Sequence, residues 1–257
     1  MNKTSIEWTD YTAGLIKSTH AGGPVSFDEW EARRILRTRT TGKRILMKGD
    51  PFEEDVPDEM LDRMFAVFAL RPDLVFQVLT KRPERMRAYF TTRDTAGAIA
   101  VTIREVAPDG GLAAMRAMGT HVLRDVVQKR WPLPNVWLGV SVEDQAAADE
   151  RIPALLDTPA AAVRFLSCEP LLEPVDLEPW LRRVATSGPG WRMTGGSAMA
   201  IADIVLDWVI VGGESGPGAR PCEVGWIRDI VGQCRAAGVP VFVKQLGARP
   251  VRTVRGS

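Results

Sequence analysis

Histidine and cysteine are scarce in this chain. Only His20 and His121 occur in 257 residues, both in poorly patterned segments, which argues against a histidine-based metal site or catalytic triad. The three cysteines, Cys168, Cys222 and Cys234, form no CxxC pair and no disulfide-scaffold spacing, so a reducing cytoplasm is the expected location. An excess of one charge is also missing. With 33 basic and 32 acidic residues the net charge is +1, and no overall field draws the chain to nucleic acid or a membrane. A nucleic-acid partner stays open only through a local basic patch. The apolar runs fall far short of a membrane span, and "MNKTSIEWTD" carries no apolar signal core.

What is present is alternation. Short β-branched runs trade places with amphipathic stretches over most of the chain. Ile45–Met47, Leu74–Leu79, Val136–Val140, "AVRFLSCEP", "DWVIVGGES" and "VPVFVKQLG" read as six strands, with a further one at Ser5–Trp8. Between them, "VPDEMLDRMFAVFALRP" places Met60, Met64, Phe65, Phe68 and Ala69 at helical spacing, with Asp58 and Glu59 at its start and Pro72 past its end. "EDQAAADERIPALLDTP" and "VGWIRDIVGQCRAAG" read as two more helices, the latter capped by Gly238. Strands alternating with helices imply right-handed βαβ units and a mostly parallel sheet. The expected fold is α/β, a full or partial TIM-barrel-like parallel β/α barrel, with a doubly wound open sheet as the alternative. One domain over residues 1–257 is expected, with a helical insertion at 91–129 and a Gly/Ser-rich surface loop at 183–204.

The strand ends carry the chemistry. The first strand finishes in Lys48 and Asp50 and the second in Lys81 and Arg82. The third ends in Ser141 and Glu143, the fourth in Cys168 and Glu169, and the fifth in Gly212, Gly213, Glu214 and Ser215, with Arg220 close behind. The last finishes in Lys244 and Gln245. A parallel barrel brings such C-terminal ends to one face, where its loops build the site. Charges of both signs there suit a small zwitterionic or anionic ligand. Each residue has a plainer role beside that one. The glycines can serve a turn or a close backbone approach. Lys81-Arg82 can be a solvated pair, although a helix start disfavours cations. Cys168 can be a small buried hydrophobe, and Cys222 and Cys234 structural.

Several runs taken together resemble a known family. "KTSIEWTD", "FEEDVPDEMLDRMFAVFAL", "FQVLTKRPERM", "WPLPNVWLGVSVEDQAAADERIPALLDTPAAAVRFLSCEPLLEPVDL" and "LDWVIVGGESGPGARPCEVGWIRDIVGQCRAAGVPVFVKQLG" are similar to the phage gene product 37/68 proteins. The resemblance covers most of Lys43 to Gly247 and the first ten residues. It implies a radical S-adenosylmethionine-like β/α barrel, whose early loop holds a [4Fe–4S] cluster on three closely spaced cysteines. This chain departs from the pattern there: after Trp8-Thr9-Asp10 no cysteine occurs before Cys168. The resemblance therefore implies a member without cluster ligands. Gly212-Gly213-Glu214 spells a triplet that radical enzymes use near the methionine amino group, but it follows a late strand here, not an early one.

The function expected on these grounds is binding of a small anionic or zwitterionic ligand, or a nucleotide, at the C-terminal strand ends, with catalysis left open. No metal is expected. S-adenosylmethionine remains a candidate ligand, with the Gly212–Ser215 loop as its first contact. The alternatives are an active radical enzyme modifying nucleic acid or peptide, and a non-catalytic phage accessory protein. The tract Arg33-Arg34-Ile35-Leu36-Arg37-Thr38-Arg39 would serve the latter as a contact surface.

Overall fold

The computed structural model describes residues 11–17, 24–107, 119–159, 161–181, 191–194, 197–200 and 206–252. Its contacts divide into two compact units. One is Met1–Val140 with Asp157–Val163, and the other is Ser141–Leu156 with Arg164–Ser257.

In the first unit, β1 (Tyr11–Ala13) precedes a small antiparallel ribbon, β2 (Ile16–Lys17) and β3 (Ser26–Phe27). Then follow α1 (Glu29–Arg37), β4 (Arg44–Met47), α2 (Asp58–Leu70), β5 (Val75–Thr80), α3 (Pro83–Thr91), α4 (Thr95–Val106), α5 (Thr120–Lys129) and β6 (Val136–Ser141). The long strands pair in parallel, Tyr11 opposite Ile45, Ile45 opposite Phe76 and Phe76 opposite Val136. The Asp28 side chain caps α1 by accepting the Glu31 N–H at 2.9 Å. α2 is buried more widely than its periodicity implies: Leu61, Asp62, Met64, Phe65, Ala66, Val67, Phe68 and Leu70 are all covered, while Met60 and Ala69 stay half-exposed. Its exit is fixed by the buried Asn135, whose amide donates to the carbonyls of Phe68 at 3.0 Å and Arg71 at 3.1 Å. Each of these carbonyls also accepts a backbone N–H, Arg71 on Phe68 at 3.2 Å and Leu74 on Arg71 at 3.1 Å, so Asn135 uses their second lone pairs.

The second unit contains α6 (Gln145–Leu156), β7 (Val163–Cys168), α7 (Glu178–Leu181), β8 (Trp191–Thr194), β9 (Ser197–Ala200) and β10 (Trp208–Gly212). It ends with β11 (Cys222–Glu223), α8 (Val224–Ala237), β12 (Val241–Gln245) and β13 (Pro250–Val251). β10 lies between β7 and β12, parallel to both, with Ile210 opposite Ser167 and Phe242. Val209, Ile210 and Val211 are fully buried, as a strand covered on both faces requires. α8 ends at Gly238 with φ +71°, the left-handed cap its sequence calls for.

The fold is mixed α/β, and its seven parallel strands follow the order β1-β4-β5-β6-β7-β10-β12. Each new strand joins the same edge as the one before. That is the order of a partial β/α barrel; a doubly wound sheet reverses direction at a switch point. The seventh strand is Tyr11–Ala13, whereas the expected one at Ser5–Trp8 lies outside the described residues. The 91–129 segment carries α4 and α5, and 108–118 lie outside the description. Within 183–204, where the sequence suggests a loop, the structure has an antiparallel pair, β8 with β9. Among the described residues no helix is long and apolar enough to cross a membrane.

Candidate functional site

In the first unit the strand-end residues meet around one carboxylate. Asp50, just after β4, accepts the Lys81 backbone N–H at 2.9 Å and the Arg82 guanidinium at 2.8 Å, both through Oδ2. Its other oxygen takes the Phe52 N–H at 3.0 Å. Asp50 therefore ties the exit of β4 to the exit of β5. It also answers the question raised by a cation at a helix start: Arg82 is the N-cap residue of α3, and the Asp50 charge offsets the unfavourable dipole. Pro83 occupies the first helical turn, where its missing N–H costs nothing. Lys48 is exposed beside this cluster in sequence.

The second unit holds three charged groups at its strand ends. Glu143, two residues beyond β6, is buried and accepts Arg151 Nη1 at 2.9 Å; the same nitrogen also donates to the Ser141 carbonyl at 2.9 Å. Ser141 is itself buried. Arg151 was not legible as a site residue. The signal was its place two turns into α6, which turns it back toward the strand that precedes the helix.

The second group spans three strands. Glu169 follows β7, and its carboxylate is shared between Lys244 Nζ at 3.0 Å and Gln245 Nε2 at 2.9 Å, both on β12. Gln245 Nε2 also donates to the Gly213 carbonyl at 3.1 Å, so the bridge passes the end of β10. The loop after β7 is pinned across the same ends, Leu171 N–H on the Gly212 carbonyl and Leu172 N–H on the Glu143 carbonyl, each at 2.9 Å.

Glycine at 212 and 213 is explained by that crossing. Neither has a positive φ. A Cβ on Gly212 would lie 3.1 Å from the Gln245 carbonyl oxygen and 3.4 Å from its Cγ. A Cβ on Gly213 would lie 2.5 Å from the Leu246 carbonyl oxygen. The pair is glycine because β12 and its exit press against the backbone. The turn itself is made further on, by Gly216 and Gly218 at φ +95° and +79°.

The third group closes that turn. Glu214 takes Arg220 in a bidentate grip, Nε to Oε2 at 2.8 Å and Nη2 to Oε1 at 2.9 Å, and also accepts the Arg220 backbone N–H at 2.8 Å. The Arg220 side chain, then its N–H, hold the Glu214 carboxyl down to about 2. Ser215 is exposed in the same loop. A depressed folded value means the interaction is complete above the unfolded carboxylate pKa and is lost as pH falls through the folded one. Arg220→Ala, which keeps the backbone N–H, is therefore expected to raise the Glu214 carboxyl from about 2 part of the way toward its ordinary value of ~4.3. A carboxyl carbon NMR titration reads this directly, and an unchanged midpoint would remove the Arg220 side chain as the cause.

The thiols behave as core. Burial pushes Cys168 well above its ordinary pKa, with Cys234 and Glu143 adding to the rise, and pushes Cys234 up to about 11. Cys168 on β7, Cys222 on β11 and Cys234 on α8 are all buried and free. Among the described residues no group of three His, Cys, Asp or Glu side chains is placed to hold a metal ion. As a donor set for an iron–sulfur cluster these cysteines do not fit: they sit on three different elements and their thiols resist deprotonation, whereas a cluster needs thiolates.

No curated protein and no solved structure matches the chain. A family model described as a protein of unknown function, DUF5131, matches residues 19–256, and the chain belongs to that family.

Proposed function

We propose that this protein binds a small zwitterionic or anionic ligand, nucleotides included, at the C-terminal strand ends of its second unit. The scaffold would be a radical S-adenosylmethionine-like barrel that works without an iron–sulfur cluster. The observation that carries this is the Glu169–Lys244–Gln245 bridge. It sets one carboxylate, one ammonium and one amide side by side over the ends of β7, β10 and β12. An amino-acid-like ligand can divide that pair, its ammonium on Glu169 and its carboxylate on Lys244. Both protein charges are within reach of solvent, with Lys244 37% and Glu169 14% exposed at the side chain. In open α/β sheets and barrels alike, ligands sit at this end of the strands.

Isothermal titration with S-adenosylmethionine, and separately with adenosine monophosphate, tests the reading. Binding of one of them is expected, weakened about tenfold or more in Lys244→Ala and Glu169→Gln, the loss of one charge-assisted contact. Absence of binding by both would overturn it. Iron and sulfide analysis after anaerobic reconstitution is expected to find neither. Near-stoichiometric iron with a thiolate-to-iron absorption band would revive radical chemistry.

A further inference from the structure

We propose that the exposed face of α1 is a docking stripe for single-stranded nucleic acid, with Trp30 as the base-stacking platform and Arg33 and Arg37 as phosphate contacts. The inference is independent of the strand-end site. It begins in the sequence, where the eighteen residues between Glu31 and Asp50 hold seven Lys or Arg and no Asp or Glu. A net charge of +1 hides this local excess.

The structure sorts those cations. Positions 30, 33, 34 and 37 share one stripe of α1, because residues three and four apart are neighbours on a helix. Ala32, Ile35 and Leu36 on the opposite side are buried. Trp30, Arg33, Arg34, Arg37 and Thr38 line a surface groove of about 480 Å³. Arg34 is committed to the fold: it grips Glu31 with two nitrogens, at 2.6 and 2.8 Å, and lies 5.1 Å from the centre of the Tyr11 ring. Arg33 and Arg37 are exposed and have no acidic partner among the described residues. Cations in the last turn of a helix answer its dipole, and that accounts for Arg34 and Arg37. It does not account for a tryptophan 71% exposed on the same stripe.

The chemistry of the stripe selects the occupant. A protein partner that buries a tryptophan ordinarily offers it apolar neighbours. Among the described residues the other large exposed apolar ones are Val101, Val122, Val243, Leu246 and Val251, none of them on α1. Among the described residues Trp30 is the one large exposed apolar side chain of α1, and it shares its groove with three guanidinium groups. An indole beside unpaired arginines is the combination that stacks an unpaired base and neutralises the adjoining phosphates. Bases in a duplex are already stacked, so a projecting indole selects a single strand.

The test is fluorescence anisotropy of a labelled oligothymidylate of about 15 nucleotides, titrated with the full chain over a range of salt. Binding at low salt is expected. Trp30→Ala should weaken it about tenfold while Trp30→Phe keeps most of it, since stacking needs only an aromatic face. Arg33→Ala with Arg37→Ala should lower the slope of log K against log salt by about 1.4, for two lost phosphate contacts. Trp30 is exposed, so its variants should melt with the parent chain, which separates docking from folding. Absence of binding at low salt would overturn the proposal. So would binding that ignores all three variants. Equal, Trp30-dependent binding of polyglutamate or of phosphatidylserine vesicles would also overturn it, pointing instead to an acidic protein or a membrane surface.

Discussion

Gly213→Ala is expected to destabilise the protein by about 3 kcal/mol, the upper end of what overpacking costs. The new methyl group would sit 2.5 Å from the Leu246 carbonyl oxygen and 2.9 Å from both the Leu246 carbonyl carbon and the Gly247 Cα. All three are backbone atoms, so no side chain can swing aside. Relief would require the exit of β12 to move. That exit is tied to β10 by Gly213 N–H on the Gln245 carbonyl at 3.1 Å and Ala248 N–H on the Glu214 carbonyl at 2.8 Å. Gly212→Ala meets its nearest atom at 3.1 Å and should cost less. Urea denaturation followed by circular dichroism ranks the two. Because Gln245 bridges to Glu169 from the same backbone, Gly213→Ala should also weaken the proposed ligand site. A Gly213→Ala protein as stable as the parent would show that β12 is not held against β10 in this way.

Phe65→Ala is expected to cost about 4 kcal/mol, through lost burial and the cavity left behind. Phe65 is 1% exposed and lies 5.3 Å from Phe68, 5.7 Å from Tyr89 and 5.2 Å from Phe90, measured between ring centres. It joins α2 to α3. Tyr89 adds a polar tie, its hydroxyl donating to the buried Asp62 at 2.8 Å, and Asp62 in turn takes Arg93 at 2.7 Å. Burial, then the Asp62 charge, drives the Tyr89 hydroxyl well above its ordinary pKa, so it remains a donor at neutral pH. Removing Phe65 should loosen the last turn of α3, and with it Phe52, which packs on Tyr89 and Phe90 at 6.1 and 6.4 Å between ring centres and donates its N–H to Asp50. The Asp50–Arg82 pair would then be disturbed although neither residue is touched. Melting and urea midpoints check the first effect. Hydrogen exchange at the Lys81 amide, which Asp50 protects, checks the second. A loss below about 1 kcal/mol would mean that the aromatic cluster does not hold α2 to α3.

Sequence periodicity made the parallel α/β pattern legible because buried strands and amphipathic helices carry different repeats. β5, β6, β7, β10 and β12 all lie where apolar runs end in polar residues, and Gly238 announces its own cap. α2 was harder. Its periodic residues implied one apolar face, but neighbours cover it on several sides, and only tertiary packing says so. The antiparallel pair of β8 and β9 hid in a Gly/Ser-rich stretch whose composition suggests a loop.

The strand-end residues were visible as residue types, yet their partners were not. Pairing Glu169 with Lys244 and Gln245 joins positions some 75 apart in sequence. Nothing local couples them, and the order of the strands brings them together. The same holds for the two glycines. Their presence was plain in the sequence, but their reason is the backbone of a strand thirty residues later. What the sequence determined by itself was the alternation of elements, the caps, the charge-rich strand ends and the acid-free basic tract from Arg33 to Lys48. The tertiary structure decided which charges neutralise one another and which stay exposed. Local propensity is written in neighbouring residues, whereas ion pairing and burial depend on what a parallel sheet lays side by side.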